Sequence, residues 1–137
     1  MNFKDRLCAM NCHYRFYELE DFFQSVHKLG MHYVELWSGP MHYYVDARRH
    51  DSPEQLKKLC DRYQITIIGI CPEQTNPKPN NIAVKQKHRQ EEVLNYYRQM
   101  IDIACVLGCR QVLVTSGWCY YLSLIHISEP TRRRGIS

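Results

Sequence analysis

The sequence lacks several patterns that would each identify a class of protein. No run approaches the roughly 20 apolar residues that a membrane helix needs, so we expect no membrane partner. The N-terminal stretch is too charged, and too short in apolar residues, to resemble a signal peptide. We therefore expect a cytoplasmic protein whose seven cysteines are reduced.

The cysteines also lack the spacing of a zinc-binding motif. No C-x-x-C occurs, and the two closest pairs, Cys8 with Cys12 and Cys105 with Cys109, have no second pair at zinc-finger distance. We interpret the cysteines as small buried hydrophobic residues. A G-x-G-x-x-G motif is missing after the first predicted strand as well, which disfavours a nucleotide-binding fold.

What is present favours one globular α/β domain. The chain has 137 residues, of which 45% are hydrophobic and 23% are charged, a composition typical of a folded domain with a core. Apolar runs alternate with helical stripes along the chain. The predicted strands are Leu7–Cys12, Tyr33–Trp37, Ile65–Ile70 and Gln111–Thr115. The predicted helices are Leu19–Leu29, ended by Gly30, a second that begins at the N-cap Ser52, and Lys85–Leu107, ended by Gly108.

This alternation predicts parallel strands joined by helical crossovers. We expect parallel (β/α) repeats forming the N-terminal half of a TIM (β/α)8 barrel, and a doubly wound sheet suits the same pattern. In the longest helix we expect one buried face, made of Val93, Leu94, Tyr97, Met100, Ile101, Ala104 and Cys105.

Polar and aromatic residues follow each predicted strand, where a barrel builds its active site. The candidates for binding a polar ligand are His13, Arg15, Trp37, His42, Glu73 and Ser116. Four of them also have a structural alternative. His13 and Arg15 suit an ordinary polar loop, Trp37 suits the core, and Glu73 suits a cap of the following loop.

The last stretch, Ser123 to Ser137, continues neither pattern. Its LSLIHISEPTRR run resembles the translation of a sequencing adapter, so we expect residues 1–122 to be a partial barrel and residues 123–137 a non-native tail. Without the tail's three arginines and one glutamate, the formal charge falls from +4 to about +2. We therefore expect no nucleic-acid partner.

Several segments together resemble a known family. They are Cys12-His13-x-Arg15, Val34-Glu35-Leu36-Trp37-x-Gly39 with His42 and Asp46, Ile67-Ile68-Gly69, Pro72-Glu73, Thr75-Asn76, Pro79 and Asn81. In order and spacing they resemble the first half of the sugar phosphate isomerase/epimerase family, with its xylose-isomerase-like TIM barrel. Within that family they are most similar to the ketose and fructoselysine 3-epimerases.

The resemblance implies a metal-dependent isomerase that moves a proton next to a sugar carbonyl through an enediolate. The expected cofactor of the parent enzyme is a divalent metal (Mn, Co or Mg), and the expected partner is a small-molecule sugar or sugar derivative. In this family the metal ligands and catalytic carboxylates come mostly from later strands. We therefore expect this chain to hold neither, to be inactive alone, and to self-associate through open barrel edges. The alternatives are an endonuclease IV-like, metal-dependent abasic-site nuclease and an inactive binding fragment.

Overall fold

A computed structural model of the protein describes residues 3–74 and 80–117. Strands and helices alternate along the chain. The elements are a 3-10 helix at Phe3–Arg6, β1 (Cys8–Met10), a 3-10 helix at Asn11–Tyr14, α1 (Leu19–Lys28), β2 (Tyr33–Ser38), α2 (Pro53–Arg62), β3 (Thr66–Pro72) and α3 (Lys87–Leu107).

The sheet has the strand order β1-β2-β3, and both pairings are parallel. A fourth extended segment pairs with β3 through a bridge between Val112 and Ile70. Doubly wound sheets place the first strand between the second and third, or the fourth strand beside the first. Neither order occurs here, because consecutive strands are neighbours throughout, as in a barrel. The structure is therefore a parallel α/β half-barrel, as the sequence predicts.

The predicted fourth strand, Gln111–Thr115, is wrong in extent, since only Val112 forms a bridge. Ile70 N donates to Gln111 O at 2.9 Å, and Leu113 N donates to Ile70 O at 2.8 Å. The next ladder bond would need an N–H from Pro72, which proline does not have. The side chain of Gln74 replaces the missing backbone bonds. Its Nε2 donates to Leu113 O at 3.1 Å, and its Oε1 accepts from Thr115 N at 2.8 Å.

The helix ends follow local sequence signals. In α1, Glu18 and Asp21 form a capping box. In α2, the Ser52 hydroxyl accepts from Gln55 N at 3.2 Å, and Pro53 occupies the first turn. Gly108 ends α3 in the left-handed conformation, with φ of 71°, as the sequence predicts.

The buried face of α3 is rotated relative to the prediction. Leu94, Ile101 and Cys105, predicted to be buried, are exposed. The buried residues are Val93, Tyr96, Tyr97, Met100, Ile103 and Ala104. The predicted and observed buried faces share Val93, Tyr97, Met100 and Ala104. The observed face is favoured because it lets the hydroxyls of Tyr96 and Tyr97 reach the end of β3. Tyr96 donates to Glu73 O at 3.1 Å, and Tyr97 donates to Gln74 Oε1 at 2.6 Å.

The core lies between the sheet and the helices. The sheet contributes Val34, Leu36, Ile67 and Ile70, all at most 4% exposed, and each helix adds an apolar face. The other side of the sheet carries Glu35 opposite Gly69 and Trp37 opposite Cys71. This second side is the one that faces the interior of a complete barrel.

The cysteines are less buried than predicted. Cys60 and Cys109 belong to the core, whereas Cys12 and Cys71 are half-buried and Cys8 and Cys105 are exposed. These six are free thiols, and Cys119 lies outside the described residues. Cys8 and Cys71 lie on the side of the sheet that the helices do not cover, and Cys105 lies on the exposed face of α3. Within residues 3–74 and 80–117, no helix combines the length and hydrophobicity of a membrane span.

Candidate functional site at the carboxyl ends of the strands

The carboxyl ends of β2 and β3 bring together two of the predicted site residues. Trp37 Nε1 donates a hydrogen bond to Glu73 Oε2 at 2.9 Å. Trp37 is half-buried, whereas Glu73 is only 7% exposed. Because the carboxylate accepts from the indole N–H, it sets the orientation of the ring, and the pair joins an aromatic face to an acidic group.

The backbone around Glu73 is held at several points. Glu73 N donates to Ser38 Oγ at 3.1 Å, and Glu73 O accepts from Tyr96 OH at 3.1 Å and from Asn80 Nδ2 at 2.9 Å. Burial raises the pKa of Tyr96, so its hydroxyl remains protonated and able to donate. These bonds fix the position of the Glu73 carboxylate relative to β2.

The ring of Trp37 lies over Gly39. A Cβ added at Gly39 would occupy the space taken by the six-membered part of the indole. The His42 ring packs edge-on against this indole, with centroids 6.2 Å apart and an interplanar angle of 88°. Gly39 and His42 together therefore define where the aromatic surface of Trp37 can lie.

Both ring nitrogens of His42 contact protein atoms. Nδ1 lies 2.7 Å from Asn11 Nδ2, and Nε2 lies 3.1 Å from Tyr14 O and 3.0 Å from Tyr17 O. His42 thus links the loop after β2 to the loop after β1. Its predicted contact with a substrate stays a prediction.

Asn11 is fully buried and connects the two loops with β2. Its Oδ1 accepts from Trp37 N at 2.7 Å, and its Nδ2 donates to Trp37 O at 2.9 Å. The side chain therefore pairs with both backbone groups of Trp37 directly after the last paired residue of β1, Met10.

The thiols on the interior side of the sheet are kept protonated. Burial raises the pKa of Cys71 to about 11, and the nearby Glu35 and Glu73 carboxylates and Cys12 add to the effect. Burial, and then the charge of Glu35, also raise the pKa of Cys8. Since the thiolate is the nucleophile, these two cysteines are poorly suited to covalent catalysis at neutral pH.

The other predicted contacts lie around this group. His13 and Arg15 are exposed on the loop after β1, and the Arg15 guanidinium lies 5.0 Å from the centroid of the Phe16 ring. Ser116 is exposed beyond the segment that pairs with β3. Within the described part of the chain, no hydrogen bond joins these three to Trp37, His42 or Glu73. The family-like segments Thr75-Asn76 and Pro79 lie outside the described residues.

The described residues do not form a metal centre. Among residues 3–74 and 80–117, no group of three or more His, Cys, Asp or Glu side chains is placed to hold an ion. Glu35 on β2 and Glu73 directly after β3 place two carboxylates on the interior side of the sheet. Two carboxylates fall short of the ligand sets that divalent metals use.

Sequence reasoning missed the residues that position this site. Asn11, Ser38, Gln74 and Tyr96 are all buried, and each forms a hydrogen bond with a backbone group at or just beyond the carboxyl-end side of the sheet. One signal was available for Asn11, because it is the polar residue within the apolar run Leu7–Cys12. A buried polar side chain requires a hydrogen-bond partner, which marks such a residue as structural or functional.

Comparison with known proteins gives consistent matches. The family described as "Xylose isomerase-like TIM barrel" matches residues 23–133. The chain is 29% identical over 112 residues to fructoselysine 3-epimerase from Shigella flexneri, and 28% identical over 112 residues to fructoselysine 3-epimerase from Escherichia coli O157:H7. Each match covers 82% of this chain and 40% of the relative, so the chain spans less than half the length of these curated relatives.

A solved structure shows the same fold. A xylose isomerase domain-containing protein from Salmonella typhimurium LT2 superposes with a TM-score of 0.55 at 23% identity. The superposition covers 82% of this chain and 37% of that protein.

Proposed function

Because the chain belongs to the xylose isomerase-like TIM barrel family, we propose that it supplies the substrate-facing part of a sugar 3-epimerase. The substrate class is a ketose or a fructosamine-type ketose derivative. The reaction class is the removal and return of a proton on the carbon next to the ketose carbonyl. The similarity to fructoselysine 3-epimerases supports this choice within the family.

The observation that carries the proposal is the bond between Trp37 and Glu73 at the carboxyl ends of neighbouring strands. Sugars offer a C–H face that packs on an aromatic ring and hydroxyls that donate to carboxylates. In the proposed role, the Trp37 indole packs against one face of the ketose, and Glu73 holds the indole in place through its hydrogen bond to Nε1. His13, Arg15 and Ser116 remain predicted contacts at the rim.

We also propose that the complete enzyme requires a divalent metal, Mn, Co or Mg. The described residues do not fit such a site, so its ligands would come from residues beyond those described. We therefore assign no proton-transfer step to this chain. With manganese added, the purified chain should leave a ketose or fructosamine unchanged, and measurable conversion would contradict this division of roles.

Sugar binding can be tested through the Trp37 indole N–H, which is observable by proton–nitrogen NMR and is bonded to Glu73. Titration with fructoselysine or fructose should shift this resonance in a saturable way, because a sugar on the indole changes the environment of the N–H. Trp37→Phe identifies the resonance, which separates it from that of the other tryptophan in the chain.

Two controls define the outcome. Mannitol, an open-chain polyol of similar size, presents no rigid ring with a C–H face and should shift the resonance less than fructose does. Glu73→Ala, which removes the group that orients the indole, should weaken sugar binding at least about tenfold, or ~1.4 kcal/mol. An indole resonance that does not respond to either ketose would contradict the proposed site.

A further inference from the structure

The hydrogen bonds around Asn11 leave no freedom in the orientation of its amide group. Trp37 N can only donate, so the Asn11 atom 2.7 Å away is the oxygen. Trp37 O can only accept, so the Asn11 atom 2.9 Å away is the nitrogen. The backbone of Trp37 thus settles an assignment that amide side chains usually leave ambiguous.

This orientation determines the protonation of His42. The Asn11 Nδ2 group has a second N–H, and His42 Nδ1 lies 2.7 Å from this nitrogen. A donor facing Nδ1 requires that Nδ1 carry a lone pair, so the neutral ring carries its proton on Nε2. At Nε2 the proton meets two acceptors, the carbonyl oxygens of Tyr14 and Tyr17. Every donor in the chain of bonds therefore faces an acceptor.

We propose that Asn11 is a positioning residue that, together with the carbonyls of Tyr14 and Tyr17, holds His42 as the Nε2–H tautomer and so joins the loop after β1 to the loop after β2. Both ring nitrogens are then occupied by protein atoms, and His42 acts by holding the loops rather than by exchanging protons with a substrate. The same amide fixes the backbone of Trp37, so one buried side chain sets the indole, the histidine and the loop that carries Arg15.

This role rests on the proposed function, because the two loops that His42 joins lie beside the Trp37 indole that would face the sugar. The arrangement of bonds itself does not require a sugar. A test that reads the tautomer directly can therefore fail independently of the sugar titration.

The test is a long-range proton–nitrogen spectrum of histidine-labelled full-length chain at a pH of about 8.5, where most imidazoles are neutral. His42, assigned by its loss in His42→Phe, should show one fixed tautomer with the proton on Nε2. The exposed His13 and His88 should show the averaged pattern of free imidazoles. An Nδ1–H tautomer, or an averaged pattern, at His42 in the wild-type chain would overturn the proposal.

Asn11→Asp adds the decisive change, because it preserves the side-chain shape and replaces the donor facing His42 with an acceptor. A proton should then appear on Nδ1, whereas Asn95→Asp, on α3, should leave His42 unchanged. If Asn11→Asp does not fold, Asn11→Ala in the same experiment should shift the Nδ1 resonance of His42, because Nδ1 loses its donor while the carbonyls of Tyr14 and Tyr17 still accept at Nε2. A folded Asn11 variant with the wild-type His42 pattern would show that Asn11 does not set the tautomer.

Discussion

At the scale of single residues, the loop after β2 depends on the carboxylate of Asp46. Its Oδ2 accepts from Tyr44 OH at 2.6 Å, and its Oδ1 accepts from the backbone N–H groups of Arg48 and Arg49 at 2.7 and 2.9 Å. The Tyr44 bond, followed by these backbone bonds, lowers the pKa of Asp46 to about 2. The side chain is 35% exposed, so solvent screens part of this interaction.

This lowered pKa predicts a pH dependence of stability. Because the pKa is lower in the folded chain than the ordinary value near 3.8, the contribution of Asp46 is fully present above about pH 4 and is lost as the pH falls towards 2. Asp46→Asn should therefore lower the free energy of unfolding at pH 7 and flatten its decline between pH 4 and pH 2. Urea unfolding across this range measures both effects.

Asp102→Asn, on an exposed part of α3, is the matched control, and it should preserve the wild-type decline. If Asp46→Asn and the wild type lost stability in parallel between pH 4 and pH 2, the bonds to Asp46 would not be the cause of the effect.

At the scale of elements, two side-chain amides complete the sheet where its backbone pairing stops. Asn11 pairs with Trp37 after the end of β1, and Gln74 pairs with Leu113 and Thr115 after Pro72 ends the ladder of β3. Each amide offers one donor side and one acceptor side, as a peptide group does. Both lie at the carboxyl ends of the strands, so they extend the sheet next to the candidate site.

Gln74→Met tests whether the Gln74 amide replaces backbone pairing beyond β3. Methionine has a similar length but cannot replace the bonds to Leu113 O, Thr115 N and the buried Tyr97 hydroxyl. Loss of partners for buried groups should cost about 1–3 kcal/mol in unfolding free energy. Amide exchange at Thr115 should also become faster, as measured by hydrogen-exchange NMR.

Gln55→Met, on the exposed side of α2, should change neither quantity. Unchanged exchange at Thr115 in Gln74→Met would mean that the segment after β3 is held by contacts other than this amide.

The sequence predicted the order and type of these elements because each carries a local signal. Apolar runs marked the strands, while Ser52 and Gly108 marked helix ends that the structure confirms. Two of the errors, in the face of α3 and in the fourth strand, have non-local causes. The rotation of α3 depends on where the Tyr96 and Tyr97 hydroxyls meet the end of β3, and the short fourth strand depends on Pro72 of its neighbour. Neither relation is visible until the elements are packed together.

In the candidate site, too, features with a local sequence signal were predicted and features that depend on packing were not. Position after a strand was enough to select Trp37 and Glu73, which the structure brings together. It was not enough to find Asn11 or to show that His42 would have both ring nitrogens bonded to the protein. Those properties arise from three separate segments meeting at one point, and only the folded chain contains that information.

At the scale of the whole molecule, the described sheet has open edges. Leu113 and Val114, on the segment beside β3, are 52% and 47% exposed. Apolar edges of this kind are templates for association with another chain. We therefore predict that the chain self-associates. Light scattering during size-exclusion chromatography would detect the larger species, and a monomer at all concentrations would contradict the prediction.

A chimeric enzyme tests most directly the proposed role of this chain as the substrate-facing part of a sugar 3-epimerase. Residues 1–117 would replace the matching part of the Shigella flexneri fructoselysine 3-epimerase, of which the matched region covers 40%. The chimera should interconvert fructoselysine epimers, and Glu73→Ala within it should lower kcat/KM at least about tenfold, or ~1.4 kcal/mol of transition-state stabilisation. A soluble, cooperatively melting chimera that leaves fructoselysine unchanged, while the unmodified enzyme converts it, would contradict the claim.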